Sequence, residues 1–402
     1  MIRNVLWLGP AFTIEESLAS TALAPAASRW QQGFLLALRG AGATVGIVAN
    51  HAERLWPIGP ACVAGTAGDF HGLPRVAVPY LNLPFLRQHS LKRRYCDAID
   101  RFCADSGAPD LIVSYNTWRP VGQACRHAAQ HHGIPWIPIL LDHDPPTEGW
   151  ANVLAGVAGS AGVVFVSHWA FMNAPVSKKL RLDAGVADVP PMPLPQPRTR
   201  MVLYSGALHR WGGIETLLRA MPLVKTPGVR LVVVGRGGSA EVLRSLQVTP
   251  AVEYLGGVDE TSLRRLTHDA EVLANPRPAG VGGNEMNFPS KLLHYLHSLK
   301  PVATTITPGV GPEYREVVVA ADDDSPQAFA EAIDRALALS EAAKLDLAMR
   351  IRAFLGQGRL WAHQAERFLG WASSVTEPME GDKSGGSQDD PSAPGSLVNS
   401  GR

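Results

Sequence analysis

The chain is poor in the features that mark several large protein classes. Cysteine is scarce: Cys62, Cys96, Cys103 and Cys125 are the four in 402 residues and show no C-x-x-C spacing, so neither a disulfide framework nor a zinc site is indicated. No metal is expected. Charge of one sign is missing too, since 37 Lys and Arg stand against 36 Asp and Glu. A net charge near zero gives no drive toward nucleic acid. No apolar run is long enough to cross a bilayer, and the stretch after Met1 is too short for a signal peptide, so a cytoplasmic protein is the expectation. The phosphate loop G-x-x-x-x-G-K-[ST] is absent. What remains is 46% hydrophobic residues over a length that suits two ordinary cores.

Strand and helix patterns alternate along both halves. Asn4–Leu8, Ala43–Ala49, Val76–Val78, Leu111–Ser114, Trp136–Leu141 and Gly162–Ser167 read as strands. Between them, helices are expected over Arg29–Arg39, Asp97–Ala104 and Val121–His132. A second series follows: strands at Met201–Tyr204, Arg230–Val234, Val252–Leu255, Glu271–Ala274 and Val302–Thr305, with helices over Gly213–Met221, Ala240–Leu246, Thr261–His268, Lys291–Leu299 and Gln327–Leu339. Such alternation predicts two doubly wound parallel sheets. Prolines at 190, 191, 193, 195 and 197 mark a linker. The expected organisation is a first domain over 1–189, a linker over 190–199, a second domain over 200–358, a closing helix within 359–375 and a disordered tail over 376–402.

The stretch from Asn275 to Leu296 carries the densest chemistry. A strand ends, Pro276, Pro278, Gly280, Gly282 and Gly283 break regular structure, and a helix begins with Ser290 as the expected cap and Lys291 in its first turn. A cation is unfavourable there, because the helix start already carries partial positive charge. An anion such as phosphate would compensate it.

These residues resemble the donor-binding segment of bacterial family-4 glycosyltransferases: Asn275-Pro276-Arg277-Pro278, Asn284-Glu285, Phe288-Pro289-Ser290-Lys291 and Lys300-Pro301-Val302 stand in the family's order. The resemblance implies a GT-B fold, an α/β architecture with two Rossmann-like domains facing across a cleft, and transfer of a hexose-type sugar with retention of configuration. The donor would be a UDP- or GDP-sugar and the acceptor a sugar or lipid-linked hydroxyl, with no cofactor. By the same resemblance Lys291, Arg210 and Glu285 carry the catalytic load, while Gly206, Gly235, Arg236, Gly237, Arg277, Asn284, Met286, Asn287, Ser290 and His294 hold the donor. Three positions depart from the family. Ala207 and Gly212 stand where relatives place cations, and His294 stands where they place a carboxylate for the ribose.

Several loops admit two readings. Arg210 supplies the missing charge or is a solvated loop arginine. His294 bonds the ribose or packs beside Tyr295 and His297. Asp142-His143-Asp144 orients an acceptor or forms a turn before Pro145, a shared metal being disfavoured because three contiguous side chains point in alternating directions, and Tyr115–Trp118 follows a strand of the first half, with structure favoured over function. Leu81–Arg94, apolar then basic, contacts the inner face of an anionic membrane or is a solvated helix start. Gly235-Arg236-Gly237-Gly238-Ser239-Ala240, with Glu253 downstream, also fits the dinucleotide fingerprint G-x-G-x-x-G/A. A nicotinamide-dependent dehydrogenase and a catalytically inert sugar-nucleotide binder therefore stand beside the glycosyltransferase.

Overall fold

Valine, leucine and tryptophan crowd Asn4–Leu8 (β1), and all but its first residue are buried. A strand apolar on both faces belongs inside a parallel sheet covered by helices. The computed structural model, which describes residues 1–19, 25–141, 150–192, 199–281 and 283–377, places it there. The first sheet is completed by Thr44–Ala49 (β2), Thr66–Phe70 (β4), Leu73–Ala77 (β5), Leu111–Tyr115 (β7), Trp136–Leu140 (β8), Val163–Phe165 (β9) and Lys179–Arg181 (β10). Cys62–Val63 (β3) and Tyr80–Leu81 (β6) make a small separate ribbon. In space the order is β10-β9-β8-β7-β1-β2-β5-β4, parallel except for the β4–β5 hairpin.

The second sheet comprises Met201–Ser205 (β11), Arg230–Val234 (β12), Val252–Tyr254 (β13), Val272–Asn275 (β14), Val302–Thr304 (β15) and Val319–Ala320 (β16). Its order is β13-β12-β11-β14-β15-β16, all parallel. Strand order therefore reverses between β1 and β7 in one sheet and between β11 and β14 in the other. Such switch points open a crevice beyond the carboxyl ends of the strands. The loops after these four strands border the site described below.

The helices that matter for the site are Pro25–Gly40 (α2), Glu260–Asp269 (α9), Ser290–His297 (α10) and Trp361–Thr376 (α13). On α2, Trp30, Phe34, Leu35 and Leu38 face inward at helical spacing. The last helix α13 packs on α2: Phe34 meets Phe368 edge to face at 5.4 Å, and Trp30 meets Trp361 likewise at 5.4 Å.

Several expectations need correction. Arg87–Ser106 (α3) starts ten residues before the expected Asp97. Glu341–Gly356 (α12) gives no helical stripe in sequence because its apolar residues fall on all sides. Strand β10 follows the one taken as last, and the β4–β5 hairpin precedes the short strand expected at Val76. Ser290 is not the cap of α10 but its first residue; Pro289 precedes it and no side chain caps that end. Most of the Pro-rich stretch, Asp142–Asp144 and the tail from 378 lie outside the described residues.

Candidate active site

A cleft of about 2470 Å³ runs between the carboxyl ends of the two sheets. Its floor in the second half consists of three glycine-bearing turns held at van der Waals distance. Gly206 follows β11 and Gly235 follows β12; a Cβ on Gly235 would lie 1.8 Å from the Gly206 carbonyl oxygen. Gly213, with φ +81°, approaches the loop after β14 so closely that a Cβ would meet the Pro276 oxygen at 1.8 Å. Only glycine permits these approaches. Tyr295 of α10 fixes the first turn, since its hydroxyl accepts the Ser205 N–H at 2.8 Å.

Lys291 reaches into this floor. Its Nζ lies 4.3 Å from the Tyr204 ring centre and 3.0 Å from where a Gly206 Cβ would stand. Burial pulls the ammonium down to about 7, with Arg277 nearby adding a second depression, and no carboxylate acts on it among the described residues. A cation so placed, under uncapped amides of a helix start, is a site that an anion would relieve.

Arg277 is buried, donates from Nε to Asn284 Oδ1 at 2.6 Å and lies over the Trp211 ring at 5.8 Å. Asn284 in turn donates to the Pro278 and Trp211 carbonyl oxygens at 2.7 and 3.2 Å. The Asn284 amide thus clamps the glycine-rich loop, so its expected role toward donor hydroxyls is taken up by the protein itself. Gly206, Gly235, Arg236, Arg277, Asn284, Asn287, Ser290, Lys291 and His294 all line the cleft.

Four expected site residues do not line it. Arg210 is exposed in a short turn outside the wall. Gly237 lies beside His209. Met286 is buried in an apolar cluster of the first half with Leu140, Val153 and Phe165. Glu285 is half-buried, and its carbonyl oxygen accepts the Ser167 hydroxyl at 2.5 Å. The loop 283–287 is therefore docked on the first half, which also donates from the His168 N–H to the Gly309 oxygen at 2.9 Å.

The departures from the family gain a local reason. A side chain at Gly212 would meet the Tyr204 hydroxyl at 2.9 Å, and that hydroxyl is held by the Ala207 oxygen at 2.8 Å. His294 opens onto the cleft. Its protonation is disfavoured by the protein mass around it and by Arg29, against the pull of Glu260. Glu260 begins α9, lines the cleft, and pairs with Arg29 of α2 at 3.2 Å across the gap between the halves. Sequence reading missed Glu260 and Trp211. The tryptophan inside a glycine-rich loop, 47% exposed in the structure, was the legible signal; Glu260 gave none.

The dinucleotide fingerprint loses its acid. Glu253 is exposed, pairs with Arg230 at 3.3 Å and lies outside the cleft wall. On the first half, Tyr115, Asn116, Thr117 and Trp118 line the cleft. Asn116 Oδ1 accepts the Leu141 N–H at 2.8 Å, which ties the ends of β7 and β8 together.

Residues 199–338 match the model of the family described as glycosyl transferases group 1. A search of curated protein sequences found no relative. Among solved structures the chain resembles sucrose-phosphate synthase from Thermosynechococcus elongatus, with a TM-score of 0.65 and 18% identity over 93% of this chain and 99% of the other. It resembles Anabaena HepE in complex with UDP at a TM-score of 0.66 and 15% identity, covering 92% of this chain and all of the other. Trehalose 6-phosphate synthase from Burkholderia multivorans follows at 0.63 and 13%, covering 93% and 99%. The chain has the GT-B fold, and residues 199–338 of its second half match the group 1 glycosyl transferase model.

Proposed function

We propose that this protein transfers a sugar from a nucleoside-diphosphate sugar to an acceptor hydroxyl with retention of configuration. The observation that carries this reading is Lys291, half-buried at the start of α10 against the glycine turns, with no carboxylate acting on its ammonium among the described residues. Departure of a diphosphate from a developing glycosyl cation concentrates negative charge on the leaving oxygens, and preorganised cations there lower the barrier. Lys291 and Arg277 are positive groups of the floor that meet the glycine turns; Arg210 lies elsewhere. Glu260 offers the cleft a carboxylate near His294, where the family's usual one is replaced. Closure of the two halves excludes water, which would otherwise intercept the sugar.

HepE structures contain UDP and UDP-glucose, so a UDP-sugar is the first donor to test. Melting curves with UDP, GDP, ADP and NAD discriminate directly, since a ligand stabilises by mass action. Stabilisation by UDP or GDP is expected; stabilisation by NAD alone would overturn the reading in favour of a dehydrogenase. Sugar transfer with the matching donor then separates an enzyme from an inert binder.

A lipid-linked acceptor fits the outer surface of the first half. Phe85 is fully exposed, and Trp56, Ile58, Leu81 and Leu86 are exposed beside it. Asn82 joins their two loops by donating to the Arg54 and Pro60 oxygens at 2.7 and 2.9 Å. Exposed Arg93 and Arg94 flank them on α3. Apolar tips ringed by cations suit an anionic bilayer. Flotation with anionic vesicles should carry the parent protein and lose the Phe85→Ser, Ile58→Ser double variant; equal flotation of both removes the membrane from the proposal.

A further inference from the structure

A second cluster of ligand-type side chains lies on the first half, away from the cleft. Helix α3 and Arg119–His132 (α4) pack side by side on the sheet, with Tyr95 and Ile99 of the one and Ala124, Cys125 and Ala128 of the other turned inward. Asp100 follows Ile99 at the edge of that seam. From α4, His127 and His132 both reach it: their Nε2 atoms stand 3.1 and 2.7 Å from the same oxygen, Asp100 Oδ1. All three ligand atoms lie within 4.8 Å of one another. None of the three lines the cleft.

We propose that Asp100, His127 and His132 form a binding site for a divalent transition metal of the zinc type, stapling α3 to α4. Two imidazole nitrogens and one carboxylate oxygen are the donor set that suits zinc, nickel, copper or cobalt rather than magnesium or calcium. Zinc bonds of about 2.0–2.2 Å in a tetrahedron separate neighbouring donors by about 3.3 Å, so the two histidine–Asp100 spacings of 3.1 and 2.7 Å open by about 0.2 and about 0.6 Å on binding, within reach of side-chain rotation. Water completes the coordination. The three residues come from two rigid helices rather than a loop, which preorganises the site. His131, whose ring lies tilted at 40° to that of His127 with centres 4.4 Å apart, buttresses that imidazole. The sequence hid this site because the ligands are split between helices and the His127 to His132 spacing matches no familiar zinc motif. The expectation of no metal site rested on the cysteine spacing and on Asp142-His143-Asp144, whose contiguous side chains point in alternating directions.

The ordinary alternative is a carboxylate that accepts two histidine hydrogen bonds at the end of α4. Full-length protein made without a polyhistidine tag and stripped with a chelator separates the two. Calorimetric titration with Zn²⁺ should give one equivalent, unaffected by excess Mg²⁺. His127→Gln, His132→Gln and Asp100→Asn should each weaken it by more than the roughly 10- to 100-fold that loss of an outer-shell partner costs. Co²⁺ should give a visible absorption band in the parent that these variants lack. Zn²⁺ should also protect His127 and His132 of the parent from diethyl pyrocarbonate, read by mass spectrometry, which needs no variant to fold. Equal labelling with and without Zn²⁺, or affinity unchanged in the variants, overturns the site.

Discussion

Lys291 meets two opposed demands, since the surrounding protein partly desolvates its charge and the proposed chemistry needs that charge on. With the ammonium drawn down to about 7, much of the ligand-free protein carries it neutral at neutral pH. A bound diphosphate favours the charged form and raises that value. Binding is then fully supported below about pH 7 and loses support as pH rises toward the pKa of the complex, with one proton taken up on binding in between. Calorimetry of UDP at pH 8 in buffers of different ionisation enthalpy should detect that uptake in the parent and not in Lys291→Met; equal uptake in both would remove Lys291 from the phosphates. Lys291→Ala should lower the transfer rate by about 10²-fold or more, the scale for deleting one preorganised charge-stabilising group. His294, kept neutral, can donate or accept one hydrogen bond. His294→Ala should weaken nucleotide binding by about 1–2 kcal/mol and His294→Glu should restore it. Identical titration curves for all three proteins would mean that the ribose lies elsewhere.

At the scale of elements, what the sequence made legible was whatever local chemistry decides. Strands β1, β12 and β7 read correctly because buried parallel strands are near-continuous apolar runs. Lys291 read correctly as a first-turn residue because prolines and glycines end one element and start the next. Illegible were features set by partners distant in sequence. Helix α12 has no polar face, since Leu347, Ile351 and Leu355 turn to the core while Leu345 and Met349 stay exposed. Met286 sits in a loop that looks like part of the donor site, yet its side chain enters the first half's core. Arg210 carries the right charge two residues from where the family needs it, and a short turn carries it outside the wall. The closing helix illustrates the packing side. Phe368 is wholly buried against Phe34, and a Cβ on Gly33 would meet the Trp361 indole at 2.1 Å. Phe368→Ala should cost about 3–5 kcal/mol, the usual range for emptying an aromatic core site. A denaturant midpoint unchanged from the parent would mean that α13 is not anchored there.

At the scale of the molecule, two of the charge systems that join the halves differ in depth. At the cleft mouth Arg29 and Glu260 pair in the open, 37% and 55% exposed, where such a pair contributes about 0–1 kcal/mol. Behind the cleft the charges lie deeper, with Asp183 buried and Arg181, Arg359 and Glu313 half-buried. Asp183 of the first half accepts from Arg359 at 3.1 Å, Arg181 at 3.3 Å and the Tyr314 hydroxyl at 2.9 Å. Glu313 of the second half binds Arg359 at 2.7 Å and also Arg181. Burial alone would raise the Glu313 carboxyl, but its own backbone N–H and the two arginines outweigh that and hold it below the ordinary carboxylate range. A carboxylate held low contributes stability that is present above its unfolded value, about 4.5, and is lost as pH falls through its folded value. Arg359 sits just before α13 and touches both carboxylates, so it joins the halves to each other and to the helix that spans them. Arg359→Met keeps a side chain of similar length but removes the guanidinium that lies 4.6 Å over Phe354, and leaves Asp183 and Glu313 sharing Arg181. Breaking a buried pair this way costs about 3–5 kcal/mol, whereas Arg29→Ala should leave the melting temperature within experimental error. The acid limb distinguishes the deep system from a mere packing defect. Stability of the parent should fall steeply from about pH 5 downward, and that of Arg359→Met should fall less, because fewer protons separate its folded and unfolded states. Parallel pH profiles for the two proteins would mean that Arg359 acts through its hydrocarbon stem and not through its charge.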